Sequence, residues 1–161
     1  MKLSAQEEYG LRCLLRLGRE AAGGSLTIAE LSQSEGISGA NAAKMMRVLR
    51  KAGLVRSTRG KEGGYALALP ADRINVGEAL AVLGGRFFDS RFCDRHAGLT
   101  RSCTHLPDCS IRSVWRLLQG AIDGVLGELT LKDLLRSELE FTSGPGPRAI
   151  SLPVYPSDHR S

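Results

Sequence analysis

The sequence predicts a mainly α-helical fold with one small β-hairpin, followed by a long C-terminal helix. Three observations carry this prediction: capping boxes that open short helices, two strand-like runs around a glycine-rich turn, and a heptad-like apolar seam. The 161 residues, 42% of them hydrophobic, suit one compact domain with an appendage. No apolar run could span a membrane and no signal pattern opens the chain, so we expect a cytoplasmic protein without a membrane partner.

Three helices are predicted in the first third of the chain. Capping boxes at residues 4–7 and 27–30 open the first two, because the serine or threonine oxygen and the glutamate satisfy each other's backbone N–H groups. Ser38 opens the third helix, which ends at Ala52 before Gly53. The second and third helices, joined by a glycine-containing turn, form a helix-turn-helix.

A β-hairpin is expected next. Two strand-like runs, residues 54–58 and 65–69, flank a basic, glycine-rich tip at residues 59–64. Helix-turn-helix plus hairpin is a winged helix, which we place with one further helix in residues 1–83.

Basic residues are concentrated on this predicted domain. The net charge is +5, and residues 44–61 carry seven lysines or arginines and no acidic residue. Such a block favours a polyanion, here double-stranded DNA, over the alternative of a merely solvated helix face. The candidate DNA-binding residues are Ser38, Asn41, Lys44 and Arg47 on the third helix and Arg59 and Lys61 at the hairpin tip.

Three of the four cysteines, Cys93, Cys103 and Cys109, lie in a loop-like segment that we bound at residues 84–109. Thiolates bind zinc and iron–sulfur clusters, and the C-x9-C-x5-C spacing is wider than the paired knuckles of structural zinc sites. Inert reduced thiols, or a disulfide plus one free thiol, are the alternatives, and a reducing cytoplasm disfavours the disulfide. Cys13, among the leucines of the first helix, is predicted to be a buried apolar residue.

Residues 110–138 are predicted to form a long dimerisation helix, with Ser110 as its N-cap, and a final helical turn. Its seam steps by four and three residues, which is typical of helices that pair with a copy, although intramolecular packing is the alternative. The seam residues are Ile111, Trp115, Leu118, Ile122, Val125 and Leu129. Residues 139–161, which hold four of the six prolines, are predicted to be a flexible tail.

Several motifs resemble a known family. These are the opening M-K-L-S, Glu8-Tyr9-Gly10-Leu11-Arg12, the hairpin tip from Arg59 to Tyr65, and the three cysteines. Over about residues 1 to 138 the chain resembles the Rrf-two family of bacterial transcription regulators, which includes IscR, NsrR and RirA. The resemblance implies a homodimer that binds palindrome-like promoter DNA and holds an iron–sulfur cluster on the cysteines.

The resemblance also implies a ligand set. The histidine that IscR-type members place three residues after the last cysteine is Arg112 here, whereas Glu8 matches the carboxylate of the nitric-oxide-sensing branch, given there by the partner subunit. The first cysteine spacing is wider than in that branch. The implied ligands are Cys93, Cys103, Cys109 and Glu8 around a 4Fe-4S cluster, with a 2Fe-2S cluster as runner-up. His96 and His105 are rival fourth ligands, and Glu8 could instead pair with Arg12.

The expected function is therefore a dimeric transcription repressor controlled by a cluster that senses nitric oxide, redox state or iron supply. A zinc-stabilised DNA-binding protein and a small electron-transfer protein are the alternatives. We expect no enzyme and no small-molecule substrate, since the sequence has no glycine-rich nucleotide loop, His-Cys dyad or paired carboxylates.

Overall fold

A computed structural model describes residues 3–21, 23–58, 63–99, 102–105 and 108–143. Eight α-helices and two strands lie in these ranges, and none of the helices there is long and apolar enough to cross a membrane. In chain order the elements are α1 (Ala5–Gly18), α2 (Ile28–Glu35), α3 (Gly39–Lys51), β1 (Val55–Ser57), β2 (Tyr65–Leu67), α4 (Val76–Gly84), α5 (Phe92–Arg95), α6 (Ser110–Leu126), α7 (Leu131–Leu134) and α8 (Glu138–Ser143), with a 3-10 turn at Ala71–Arg73.

The helix-turn-helix forms as the caps predict. Ser4 and Thr27 each complete a capping box, at the starts of α1 and α2. The chain leaves α2 through Gly36, whose φ of 62° lies in the left-handed region that glycine adopts without strain. Ser38 then caps α3 by accepting a hydrogen bond from the Asn41 backbone N–H at 3.2 Å. These local signals decide where the two helices begin and end.

The hairpin consists of β1 and β2, paired antiparallel with Val55 opposite Leu67. A further bridge joins Tyr65 to Leu26, with N–O distances of 2.8 and 2.9 Å. Gly64 is necessary at this bridge, because a Cβ there would lie 2.8 Å from the Leu26 carbonyl oxygen. The base of the wing is thus anchored to the helical domain, while its tip, residues 59–62, lies outside the described residues.

One hydrophobic core joins the helices of the winged domain. It includes Leu14, Leu31, Met45, Met46 and Leu49, which are all 1% exposed or less. Ile74, from the loop before α4, and Leu131, from α7, enter the same core, so the C-terminal part of the chain packs back onto the winged domain.

The C-terminal end of α6 differs from the predicted helix. It ends at Leu126, and Leu129 of the predicted seam lies beyond it. The Asn75 amide, which belongs to the N-cap of α4, donates to the carbonyl oxygens of Leu126, Gly127 and Leu129. These carbonyls are therefore satisfied by a side chain from another element, and the helix stops.

Two further element boundaries in the C-terminal part of the chain differ from those predicted. The N-cap of α6 is Cys109, and Ser110 is its first helical residue. The tail predicted from residue 139 begins with α8, and residues 144–161 lie outside the described residues.

Candidate functional site

The outer face of α3 is basic. Lys44 and Arg47 are exposed and Asn41 is half-buried, one turn apart along the helix. The opposite face of α3 is buried in the core through Ala42, Met45, Met46 and Leu49. The amphipathic pattern therefore fixes which side chains project away from the domain, and they include three of the predicted DNA-binding residues.

The start of α3 offers further polar groups to an anion. Ser38, Gly39 and Ala40 are exposed there. The Ser38 oxygen accepts the capping hydrogen bond, which leaves its hydroxyl proton as a donor. The unpaired backbone N–H groups and the positive end of the helix dipole favour a phosphate at such a position.

The predicted wing contacts Arg59 and Lys61 lie outside the described residues. At the base of the hairpin, Thr58 accepts a hydrogen bond from the Gly64 backbone N–H at 3.1 Å, and Arg56 projects from β1 into solvent. Arg56 is a basic residue that sequence reasoning counted but did not assign, although strand alternation could have placed it on the open face.

The three clustered cysteines are half-exposed free thiols. Cys93 lies on α5 rather than in irregular loop, and Cys109 caps α6 by accepting the Arg112 backbone N–H at 3.4 Å. Cys13, in contrast, is fully buried in α1, and burial raises its pKa to about 11. The structure thus separates one inert thiol from three accessible ones, and none forms the alternative disulfide.

These cysteines fit an iron–sulfur cluster in chemistry, because all three present accessible soft sulfur atoms. Within the described ranges, however, no three His, Cys, Asp or Glu side chains come together in a group that could hold a metal ion. Iron would therefore have to draw the thiolates together.

Glu8 lies exposed on α1. The alternative pairing with Arg12 is wrong, since Arg12 binds Glu35 through its Nε at 3.2 Å. The Glu8 carboxylate has no hydrogen-bond or ion-pair partner in the described part of the chain. It is therefore available to an external cation, although a single chain does not place it in a metal group with the cysteines.

The two rival histidines differ in their surroundings. The His96 ring stacks on Phe92 at 4.3 Å between centroids, and its Nδ1 lies 2.8 Å from the Phe92 carbonyl oxygen. A hydrogen bond at Nδ1 orients the ring and leaves Nε2 for a metal. His105 is exposed to solvent.

Cys93 opens onto a cavity of about 530 Å³ with an arginine-rich wall. Arg86, Arg112 and Arg116 line it together with Asp89 and Asp94. Arg112, which stands where the IscR-type histidine was expected, therefore lies on the wall of the Cys93 cavity.

Sequence reasoning missed Gln119, which also lines this cavity. It is the one buried polar residue in the described ranges, and it accepts a hydrogen bond from the Phe88 backbone N–H at 2.8 Å. The sequence signal for it is weak: a single glutamine inside an otherwise apolar stretch of helix.

The predicted α6 seam is divided between two faces. Trp115 packs edge-on against Phe87 of the same chain, with ring centroids 5.8 Å apart. Four other side chains point to solvent and form what we name the α6 apolar face: Ile111, Val114, Leu117 and Leu118, which are 44–57% exposed. Val114 and Leu117 were not in the predicted seam, so the unpartnered face is rotated from the predicted one.

Comparison with known proteins gives consistent matches over most of the chain. The Rrf2 family model, described as an iron-dependent transcriptional regulator, matches residues 3–137. Protein rrf2 of Nitratidesulfovibrio vulgaris is 35% identical over 136 residues, which cover 84% of this chain and 88% of the relative. The HTH-type transcriptional regulator IscR of Escherichia coli is 30% identical over 138 residues, or 86% of this chain and 82% of the relative.

Solved structures give the same result for the fold. CymR, the global cysteine regulator of B. subtilis, superposes with a TM-score of 0.66 at 28% identity, covering 84% of this chain and 96% of CymR. IscR of T. potens superposes with a TM-score of 0.65 at 31% identity, covering 84% and 86% of the two chains. These matches confirm the mainly helical fold with its hairpin wing.

Proposed function

This chain belongs to the Rrf2 family of transcriptional regulators, and we propose that it is a dimeric repressor whose promoter affinity depends on an iron–sulfur cluster at its cysteine segment. Relatives such as IscR of Escherichia coli are HTH-type transcriptional regulators, which are not enzymes. The observation that carries the DNA-binding part is the amphipathic α3, with a buried apolar face and an exposed basic one.

In the proposed complex α3 lies in the major groove. Asn41 and Lys44 reach base edges, because amide and ammonium groups bond to purine acceptors there, and Ser38 and Arg47 contact phosphates. Arg59 and Lys61 at the wing tip reach the minor groove or its phosphates. Two copies joined through α6 place their α3 helices in half-sites about one helical turn apart.

The proposed cluster ligands are the three half-exposed thiols Cys93, Cys103 and Cys109, with Glu8 of the second copy completing the set. The donor chemistry favours a 4Fe-4S cluster. The runner-up is a 2Fe-2S cluster that uses fewer of the cysteines together with Glu8 or a loop histidine, His96 or His105. When bound, such a cluster supplies iron that reacts with nitric oxide or oxidants and is lost when iron is scarce. The chain's own contribution is Cys109 at the N-cap of α6, which ties one proposed ligand directly to the dimer helix.

Anaerobic purification with iron, sulfide and zinc counts tests the metal directly. We expect brown protein with about four irons and four sulfides per chain. Cys103→Ala should abolish the colour, whereas the matched control Cys13→Ala should keep it, because Cys13 is buried away from solvent. Colourless protein with one zinc would instead support the zinc-stabilised alternative.

A regulator that holds no metal is a second candidate. The described residues do not form a metal group, and the structural match CymR is described as a cysteine regulator. Promoter binding by metal-free and by anaerobically iron-and-sulfide-loaded protein separates the two. The cluster proposal requires that loading change the affinity at least about tenfold, which corresponds to 1.4 kcal/mol.

A further inference from the structure

The segment before and around Cys93, residues 86–96, is attached to α6 by three contacts; we name it the Cys93 arm. The Phe88 backbone N–H donates to Gln119, Arg86 forms an ion pair with Asp123, and Phe87 packs edge-on against Trp115. Gln119 also joins the first two contacts, since its Nε2 donates to Asp123 Oδ1 at 2.8 Å. The arm is therefore tied to α6 over two helical turns.

Side-chain contacts also connect the residues within the arm, so that a displacement of Phe88 would displace Cys93. The rings of Phe88 and Phe92 lie 5.1 Å apart, and Phe92 stacks on His96 at 4.3 Å. Asp89 accepts hydrogen bonds from Arg95 at 3.1 Å and from the Arg91 backbone N–H at 2.9 Å. Cys93 follows Phe92 directly on α5.

Only an amide satisfies both partners of Gln119. Its carbonyl oxygen must accept from the Phe88 N–H, and its NH2 group must donate to the Asp123 carboxylate. A carboxylate at this position would keep the first bond and repel Asp123. An apolar side chain would leave the half-buried Phe88 N–H without its partner.

We propose that Gln119 is a positioning residue that fixes Cys93 relative to α6, and so relative to Cys109, which caps the same helix. The two cysteines, one at the arm and one at the N-cap, then have a common reference in α6 although sixteen positions separate them in sequence. A change at the thiols reaches the dimer helix through this amide. The inference rests on the proposed function, because it assigns the route by which the cysteine segment controls DNA binding.

The test exchanges the amide and the carboxylate. Gln119→Glu places two carboxylates together, whereas the double variant Gln119→Glu/Asp123→Asn restores one acceptor and one donor with unchanged net charge. Asp123→Asn alone is the matched control: its asparagine oxygen can still accept from Gln119, and it measures by itself the loss of the Arg86 ion pair that the double variant also carries. Thermal unfolding shows whether Gln119→Glu is folded. If it is not, Gln119→Met is used instead, because methionine removes both hydrogen bonds without adding charge.

The first readout is the alkylation of metal-free, full-length protein by iodoacetamide, followed by peptide mass spectrometry. The rate at Cys93 is divided by the rate at Cys103, which lies outside the arm. We expect this ratio to rise about fivefold or more in Gln119→Glu, which corresponds to the loss of about one hydrogen bond. In the double variant it should return to within about twofold of the Asp123→Asn control. The fluorescence emission of Trp115, the only tryptophan, should shift in Gln119→Glu and return in the double variant.

The second readout is promoter affinity with and without anaerobic loading of ferrous iron and sulfide. Gln119→Glu should lose most of the wild-type difference, and the double variant should regain it. An unchanged alkylation ratio in Gln119→Glu, or a double variant that behaves like the single one, would overturn the positioning role. If wild-type affinity does not respond to loading, the proposed function fails, and the alkylation ratio still decides whether Gln119 positions Cys93.

Discussion

Replacing Leu117 by glutamate tests whether the α6 apolar face joins two copies of the chain. The four side chains of this face are each about half exposed, so each copy leaves about two whole apolar side chains in water. Burying them would contribute about 3–6 kcal/mol per copy, which is of the order needed to offset the cost of association. Leu117 is the most exposed of the four at 57%.

The expected loss can be worked from that exposure. Removing the Leu117 contact costs about 1–1.5 kcal/mol per copy, and the dimer loses it twice. Each glutamate also enters an apolar interface without a partner, which adds at least about 1 kcal/mol. The dimer dissociation constant should therefore rise more than about a hundredfold. Sedimentation equilibrium measures it, and circular dichroism checks that the helices remain.

Ser113→Glu is the matched control at the edge of the face, because Ser113 is an exposed polar residue one helical turn from Leu117 and is not one of the four apolar residues. This change should leave the dimer dissociation constant within about threefold of the wild-type value, as for most surface substitutions. A Leu117→Glu protein that dimerises as tightly as wild type would refute the assignment of this face. When Leu117→Glu weakens the dimer, promoter affinity should fall as well, since each half-site would then be bound by a single chain.

Other changes test other parts of the structure. Gly64→Ala forces a Cβ against the Leu26 backbone and should lower the free energy of unfolding by about 1–3 kcal/mol, measured by denaturant unfolding. Gly39→Ala is the control, because Gly39 has open space around it. Equal effects of the two changes would contradict the bridge between Tyr65 and Leu26. Arg47→Ala removes a proposed phosphate contact, so it should weaken promoter binding and reduce the slope of affinity against salt concentration by about one; an unchanged slope would contradict the placement of α3 in the interface. Cys13 should resist iodoacetamide at pH 8 while the other three cysteines react, because burial raises its pKa to about 11; modification of Cys13 at a similar rate would contradict its burial.

The winged helix could be predicted from the sequence because its signals are local. A capping box needs only two residues three positions apart, as at Ser4 and Thr27, and Gly36 marks the turn by its own conformational freedom. The prediction failed at α6, where Ser110 looked like the cap and Cys109 is the cap. Cysteine is not among the usual N-cap residues, so composition pointed to its neighbour.

The sequence by itself determined the starts of the first three helices, the hairpin and the basic face of α3, since each depends on residues a few positions apart. Tertiary structure decided the rest. Asn75 ends α6 from 51 residues away, and Gln119 holds the Cys93 arm across 31 residues. Trp115 faces its own chain while Leu117 faces solvent. A periodic apolar pattern shows that a helix has faces to cover, but only packing shows which face is covered by the chain itself and which is left for a partner.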